Sequence, residues 1–176
     1  VSGLILATIT SCSRKKNSFI NRNFHAVTAE YNALFNGYEA LKQGQNSLNE
    51  GYKDNYWDIL PVERMQVSDE IVLPGQSKNE SFTKAEEKAV KAIQKHGMNI
   101  QGKERNPQID EAYLLLGKAR YFDQRFIPAL EAFNYILYKY IYSIFDHILS
   151  LSKKTAKIQL QAMAHTYCTY TYMVIR

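Results

Sequence analysis

The stretch Asp110-Glu-Ala-Tyr-Leu-Leu-Leu-Gly-Lys-Ala-Arg-Tyr-Phe-Asp-Gln-Arg-Phe126, continued by Ile127-Pro-Ala-Leu-Glu-Ala-Phe-Asn-Tyr-Ile-Leu-Tyr-Lys-Tyr140, decides the fold. Ile109, Ala112, Tyr113, Leu116 and Ala119 recur at steps that keep them on one face of a helix. Asn106-Pro107 supplies a cap and a first-turn proline ahead of them. Gln124-Arg125 interrupts the pattern, and from about Pro128 it resumes through Ala129, Leu130, Phe133, Ile136, Leu137 and Tyr140. Gly117 and Ala129 are small where the two helices of such a hairpin would cross. The backbones then approach closely, with Tyr113, Leu116 and Phe133 filling the space beside them.

This helical pair resembles a tetratricopeptide (TPR) repeat, a helix–turn–helix unit of about 34 residues. Tyr113 takes the early aromatic place, Leu116-Gly117 the Leu-Gly step, and Ala119 and Tyr121 the small and aromatic places beyond it. Phe126 stands at the turn, with Ala129 and Phe133 at the small and aromatic places of the second helix. The chain departs from the pattern at Gln124, where Gly is usual, at Ile136, where Ala is usual, and at Ile141, where a closing Pro is expected. The resemblance implies a concave face lined by Leu114, Lys118, Tyr121 and Phe122, able to seat a partner's peptide or helix; the alternative is packing against the preceding or following helix, which is the reading favoured for Leu114.

Upstream, Ile20, Phe24, Val27, Tyr31, Leu34, Tyr38, Leu41 and Leu48 predict a long amphipathic helix over 20–48. Gly37 is placed for close approach of another helix, and Gly44 for loosening or ending this one. Residues 49–80 read as an irregular insertion: Asp58-Ile-Leu-Pro61 disfavours helix, and Val67 to Leu73 before Pro74-Gly75 reads as an extended stretch closed by a turn. Trp57 and Tyr56 lie there as anchors to the body or to a partner. Thr83-Lys-Ala-Glu86 fits a capping box, Phe82, Ala85, Ala89 and Ile93 share a face, and Gly97 closes the helix. Helix 20–48, with Ala33, Gly37 and Ala40, pairs with helix 83–96 as a degenerate repeat. One repeat cannot bury its own faces, so the expected fold is all-α: TPR-like helical hairpins over 19–140 that form the start of an α-solenoid.

The amino end has a different character. Residues 3–9 are a short apolar run, the end of a truncated signal peptide over 1–11 and too short to span a bilayer. Ile9-Thr-Ser-Cys12 resembles the bacterial lipobox, in which the Cys sulfur carries a diacylglycerol and the freed amine a further acyl chain, a firm anchor. Residues 12–18 form the lipidated linker, and Arg14, Lys15 and Lys16 would add attraction to anionic headgroups. The net charge of +5 is concentrated at the two ends of the chain, with residues 17–140 nearly neutral, so no basic stripe argues for nucleic acid.

Three segments together resemble the amino-terminal part of the SprE/PorW lipoproteins: Tyr31-Asn-Ala-Leu-Phe-Asn-Gly-Tyr-Glu-Ala40, Tyr56-Trp-Asp-Ile-Leu-Pro-Val-Glu63 and 110–126, all behind the lipobox. These are TPR proteins of type IX secretion and gliding motility in Bacteroidetes. The resemblance implies a periplasmic scaffold anchored to the outer membrane by lipid on Cys12, with periplasmic ring and outer-membrane translocon components as partners. The rivals are a TPR lipoprotein of outer-membrane protein assembly, with contiguous repeats, and an accessory module of a peptidoglycan-acting enzyme.

The motif inventory points away from catalysis. His25, His96, His147 and His165 include no pair at the i, i+4 spacing of a helical metal site. Cys168 has no nucleophile elbow around it, and no phosphate-cradling glycine loop occurs. The reading is a non-enzyme without cofactor or metal. The tail, 141–176, fits the repeat poorly: no acid follows Ser150, and His165-Thr-Tyr-Cys-Thr-Tyr-Thr-Tyr172 alternates as a strand would. Loss of the coding frame near 141, a chimeric or truncated chain, or a divergent capping helix at 153–165 would each account for it.

Overall fold

The computed structural model describes residues 13–57, 63–64, 79–147 and 155–175. Ser18 caps the first helix by accepting from the amide of Asn21 at 3.2 Å. From there α1 (Phe19–Thr28), a π-helical stretch (Ala29–Leu34) and α2 (Phe35–Gly51) run on without a break. Then come α3 (Glu80–His96), a two-stranded antiparallel ribbon of β1 (Asn99–Ile100) and β2 (Lys103–Glu104), α4 (Gln108–Phe122), α5 (Phe126–His147) and α6 (Thr155–Ile175). The described residues are thus all-α but for this short ribbon.

Each long helix packs on the next, α2 on α3, α3 on α4, α4 on α5 and α5 on α6, and α4 also touches both α2 and α6. This central place explains why α4 buries Leu114 and Leu115 as well as Ile109, Ala112, Leu116 and Ala119. A reading in terms of one apolar face is too narrow for it.

Glycines let helices approach closely. A β-carbon on Gly117 would stand 2.7 Å from Cδ1 and Cζ of Phe133, and one on Gly44 would stand 2.8 Å from the same atoms of Phe82. Both are far inside van der Waals contact. Gly44 therefore does not end its helix, which runs to Gly51; it receives the Phe82 ring. Gly37 behaves as expected, since a β-carbon there would collide with Leu115. Each phenylalanine is covered in turn by an aromatic ring from the helix after its hairpin. Phe82 stacks on Phe122 of α4 at 6.0 Å, and Phe133 stacks on Tyr167 of α6 at 5.6 Å. Such ring pairs add about 1 kcal/mol beyond the area they bury.

Polar bolts fix the register. The Glu86 carboxylate on α3 accepts from Nε of Arg120 on α4 at 2.8 Å and from Arg125 in the α4–α5 turn, whose Nε also donates to buried Asp123 at 2.8 Å. Burial works against the charge on Glu86, but the two guanidinium groups outweigh it and hold the carboxyl below its usual range. Between α3 and α4, Glu104 Oε1 accepts from the amides of Met98 (2.7 Å) and Asn106 (2.9 Å). The buried Asn106 side chain donates to the carbonyl of His96 and accepts from the amide of Gln108, the capping role read from the sequence.

Three further expectations need correction. The stripe Ile20, Phe24, Val27, Tyr31 does not face the core: these side chains are 50–73% exposed, while His25, Ala29, Ala33 and Leu34 are buried. The π-helical stretch inserts extra chain into the turn and rotates the downstream helix, so the stripe faces outward before it and Leu41 faces inward after it. α3 begins at Glu80, capped by the side chain of Asn79, so Thr83 lies inside the helix and forms no capping box. Residues 165–172 are helical within α6, where Ala164, Cys168 and Thr171 are buried, so the alternation does not signal a strand. The ribbon at 99–104 carries no signal in the sequence pattern; it turns through Gln101 and Gly102, both at positive φ. The extended stretch expected at 67–73 and the turn at Pro74-Gly75 lie outside the described residues.

Candidate interaction surface

Leu114, Lys118, Tyr121 and Phe122 do share one side of α4, but that side is not an open groove. Leu114, Tyr121 and Phe122 are buried, at most 8% exposed. The cover comes from α6, whose Tyr167 ring meets Tyr121 edge-on at 5.5 Å and Phe122 at 6.4 Å. Tyr121 and Phe122, expected to meet a partner, are therefore core, because the helix after the hairpin supplies the contact itself, while Leu114 is buried as a packing residue would be. Lys118 is half-buried, its ammonium 5.1 Å from the centre of the Tyr167 ring.

Glu63 reaches the same place from the long connection. Burial pushes its carboxyl up, against the pull of Lys118, and burial lowers Lys118, against the pull of Glu63. Desolvation thus outweighs their attraction in both directions. Burial, helped by Glu63, pushes the Tyr121 phenol up to about 12. A cation–aromatic cluster with uncharged phenols suits packing and recognition.

Trp57 has the opposite fate. It is 99% exposed, beside Tyr56 at 79%, in the connection between α2 and α3. An indole wholly in water is poor for stability and typical of a contact residue. The sequence did not single out the outer face that runs along α1 and the π-helical stretch to the start of α2, where Phe19, Ile20, Phe24, Val27, Tyr31 and Phe35 are all exposed. The signal that would have found it is the opposite ladder of small residues, Ala29, Ala33, Gly37, Ala40 and Gly44, the side of the helix that other helices approach.

At one end of this helix, Arg14, Lys15, His25 and Lys95 border a shallow cleft, and Arg14 donates to the carbonyl of Gln94. Nδ1 of His25 lies 3.3 Å from Nδ1 of His96, and burial, with His25 and the cations Lys95, Arg14 and Lys91, lowers the His96 pKa. Among the described residues no three His, Cys, Asp or Glu side chains are grouped to hold a metal ion. The Cys168 thiol is buried, which raises its pKa, and it lies 3.7 Å from Asn134 Oδ1. No helix among the described residues is long and apolar enough to cross a membrane. Cys12 lies outside the described residues. The chain matches no protein-family model and no curated protein sequence.

Proposed function

We propose that this protein is a TPR-like, lipid-anchored scaffold that holds partner proteins at the outer membrane, in the service of type IX secretion and gliding. The observation that carries the TPR-like part is the recurrence of one lock, glycine on the first helix and phenylalanine on the second, in α2–α3 and again in α4–α5. With α4 touching α2 and α6, this supports helical hairpins stacked in series, the organisation of a docking solenoid. Lipid on Cys12 would tether the stack and raise the effective concentration of its partners. The secretion assignment is supported by the resemblance of 31–40, 56–63 and 110–126 to the SprE/PorW lipoproteins, and the exposed Trp57 is its strongest candidate contact. No catalytic role is assigned.

The test has two parts. Labelling with palmitate in the source bacterium is expected to mark the protein and to be lost in Cys12→Ser. A photo-crosslinker at Trp57 is expected to capture periplasmic ring or translocon components. Wild-type secretion and gliding in a deletion strain would refute the assignment to that machine.

A further inference from the structure

We infer that α1, with the π-helical stretch and the start of α2 that continue it, is an interfacial helix that lies flat on an anionic phospholipid surface, its outer apolar stripe in the acyl boundary and the cations at its start among the headgroups. The stripe is continuous. Ile20, Phe24, Val27, Tyr31 and Phe35 succeed one another at three- and four-residue steps on the side of the helix opposite the buried His25, Ala29 and Ala33. At 1.5 Å per residue it is about 22 Å long. Bulky apolar residues along one side of a surface helix, opposite a core already satisfied by small residues, are what a membrane-surface helix presents.

Charge chooses lipid over a second protein. From Ser13 to Ala29 there is no carboxylate, and three exposed cations, Arg14, Lys15 and Lys16, precede the helix; Arg22 turns its Nε into the protein, and the first acid is Glu30, towards the far end of the stripe. The cleft bordered by Arg14, Lys15, His25 and Lys95 opens at the start of the same helix, and the His25 ring stands edge-on to Phe24 at 5.5 Å. Cationic and apolar surfaces thus adjoin, as anionic headgroups adjoin acyl chains. A protein partner would be expected to meet a mixed rim.

The identity of the membrane rests on the lipid-anchored function proposed for the chain, but the contact does not require acylation, so the two fail separately. The full chain carrying Cys12→Ser is mixed with vesicles of phosphatidylglycerol and phosphatidylethanolamine, or of phosphatidylcholine alone, and sedimented. Binding is expected to favour the anionic vesicles. It should fall at least about tenfold in Phe24→Ser/Tyr31→Ser, both exposed, with circular dichroism unchanged. Lys15→Gln/Lys16→Gln is expected to weaken binding and flatten its salt dependence. Inorganic phosphate at matched ionic strength should not release the protein. Equal partition of the parent and the stripe variant would overturn the inference. So would indifference to headgroup charge, release by phosphate alone, or a dimer that the stripe variant dissociates while vesicle binding is unmoved.

Discussion

The two hairpins of this protein are built alike and connected differently. α4 and α5 are joined through Asp123, Gln124 and Arg125, whereas α2 and α3 are separated by residues 52–79. Yet Gly44 receives Phe82 as closely as Gly117 receives Phe133, and each ring is then covered by an aromatic from the next helix, Phe122 or Tyr167. The pairing geometry therefore does not depend on the turn. It is fixed where a missing side chain lets a ring lie against backbone, and loop closure costs only slowly more as a loop lengthens. The long connection is then free to carry Tyr56 and Trp57 into solvent.

The sharpest way to break this equivalence is to remove the rings. Phe82→Ala and Phe133→Ala are each expected to cost about 3–5 kcal/mol in urea unfolding, as fully buried aromatics do. A cost under about 1 kcal/mol at Phe82 alone would show that the first hairpin is held by something else. Next come the glycines. Gly44→Ala and Gly117→Ala should each destabilise by about 1–3 kcal/mol, because overpacking exceeds the roughly 1 kcal/mol gained in helix propensity. Combining Gly117→Ala with Phe133→Leu should cost less than the sum of the two changes, which a double-mutant cycle measures.

A smaller effect separates the hairpins, since the Glu86 bolt reaches only the turn of the second. Glu86→Gln should cost about 1–2 kcal/mol at neutral pH. The folded-state pKa of Glu86 is depressed, so its contribution is present above the ordinary carboxylate range and fades as the pH falls through that range and below it. Thermal melts of Glu86→Gln and the parent should therefore converge in acid. The smallest change should be a gain: Gln124 sits at φ 63°, and Gln124→Gly should stabilise by up to about 1 kcal/mol, read from the unfolding midpoint.

Much of the fold was legible because helix periodicity is local. The helices at 106–140, the cap at Asn106, the break at Gln124 and the crossing at Gly117 all came from spacing and residue size. Gln124 also shows why the repeat pattern favours glycine at its position. The core-facing side of the first helix was misread because Ile20 to Tyr31 and Leu34 to Leu48 look continuous at α-helical pitch, and a π-helical stretch changes the phase between them. At the candidate surface, Trp57 is in solvent and not anchored in the body, while Tyr121 and Phe122 are covered by α6. Period alone does not tell a residue that awaits a partner from one that meets the next helix of its own chain.

The sequence by itself determined that this chain is helical, where its small residues stand, and which rings are available to fill the gaps. It could do so because propensity, period and side-chain volume are properties of neighbours along the chain. Only the tertiary structure decided which faces are spent inside the molecule. Burial is a relation between distant segments: α6 closed the face of α4, and packing through Ala29, Ala33 and Gly37 left the bulky stripe on the opposite side of the first long helix in solvent.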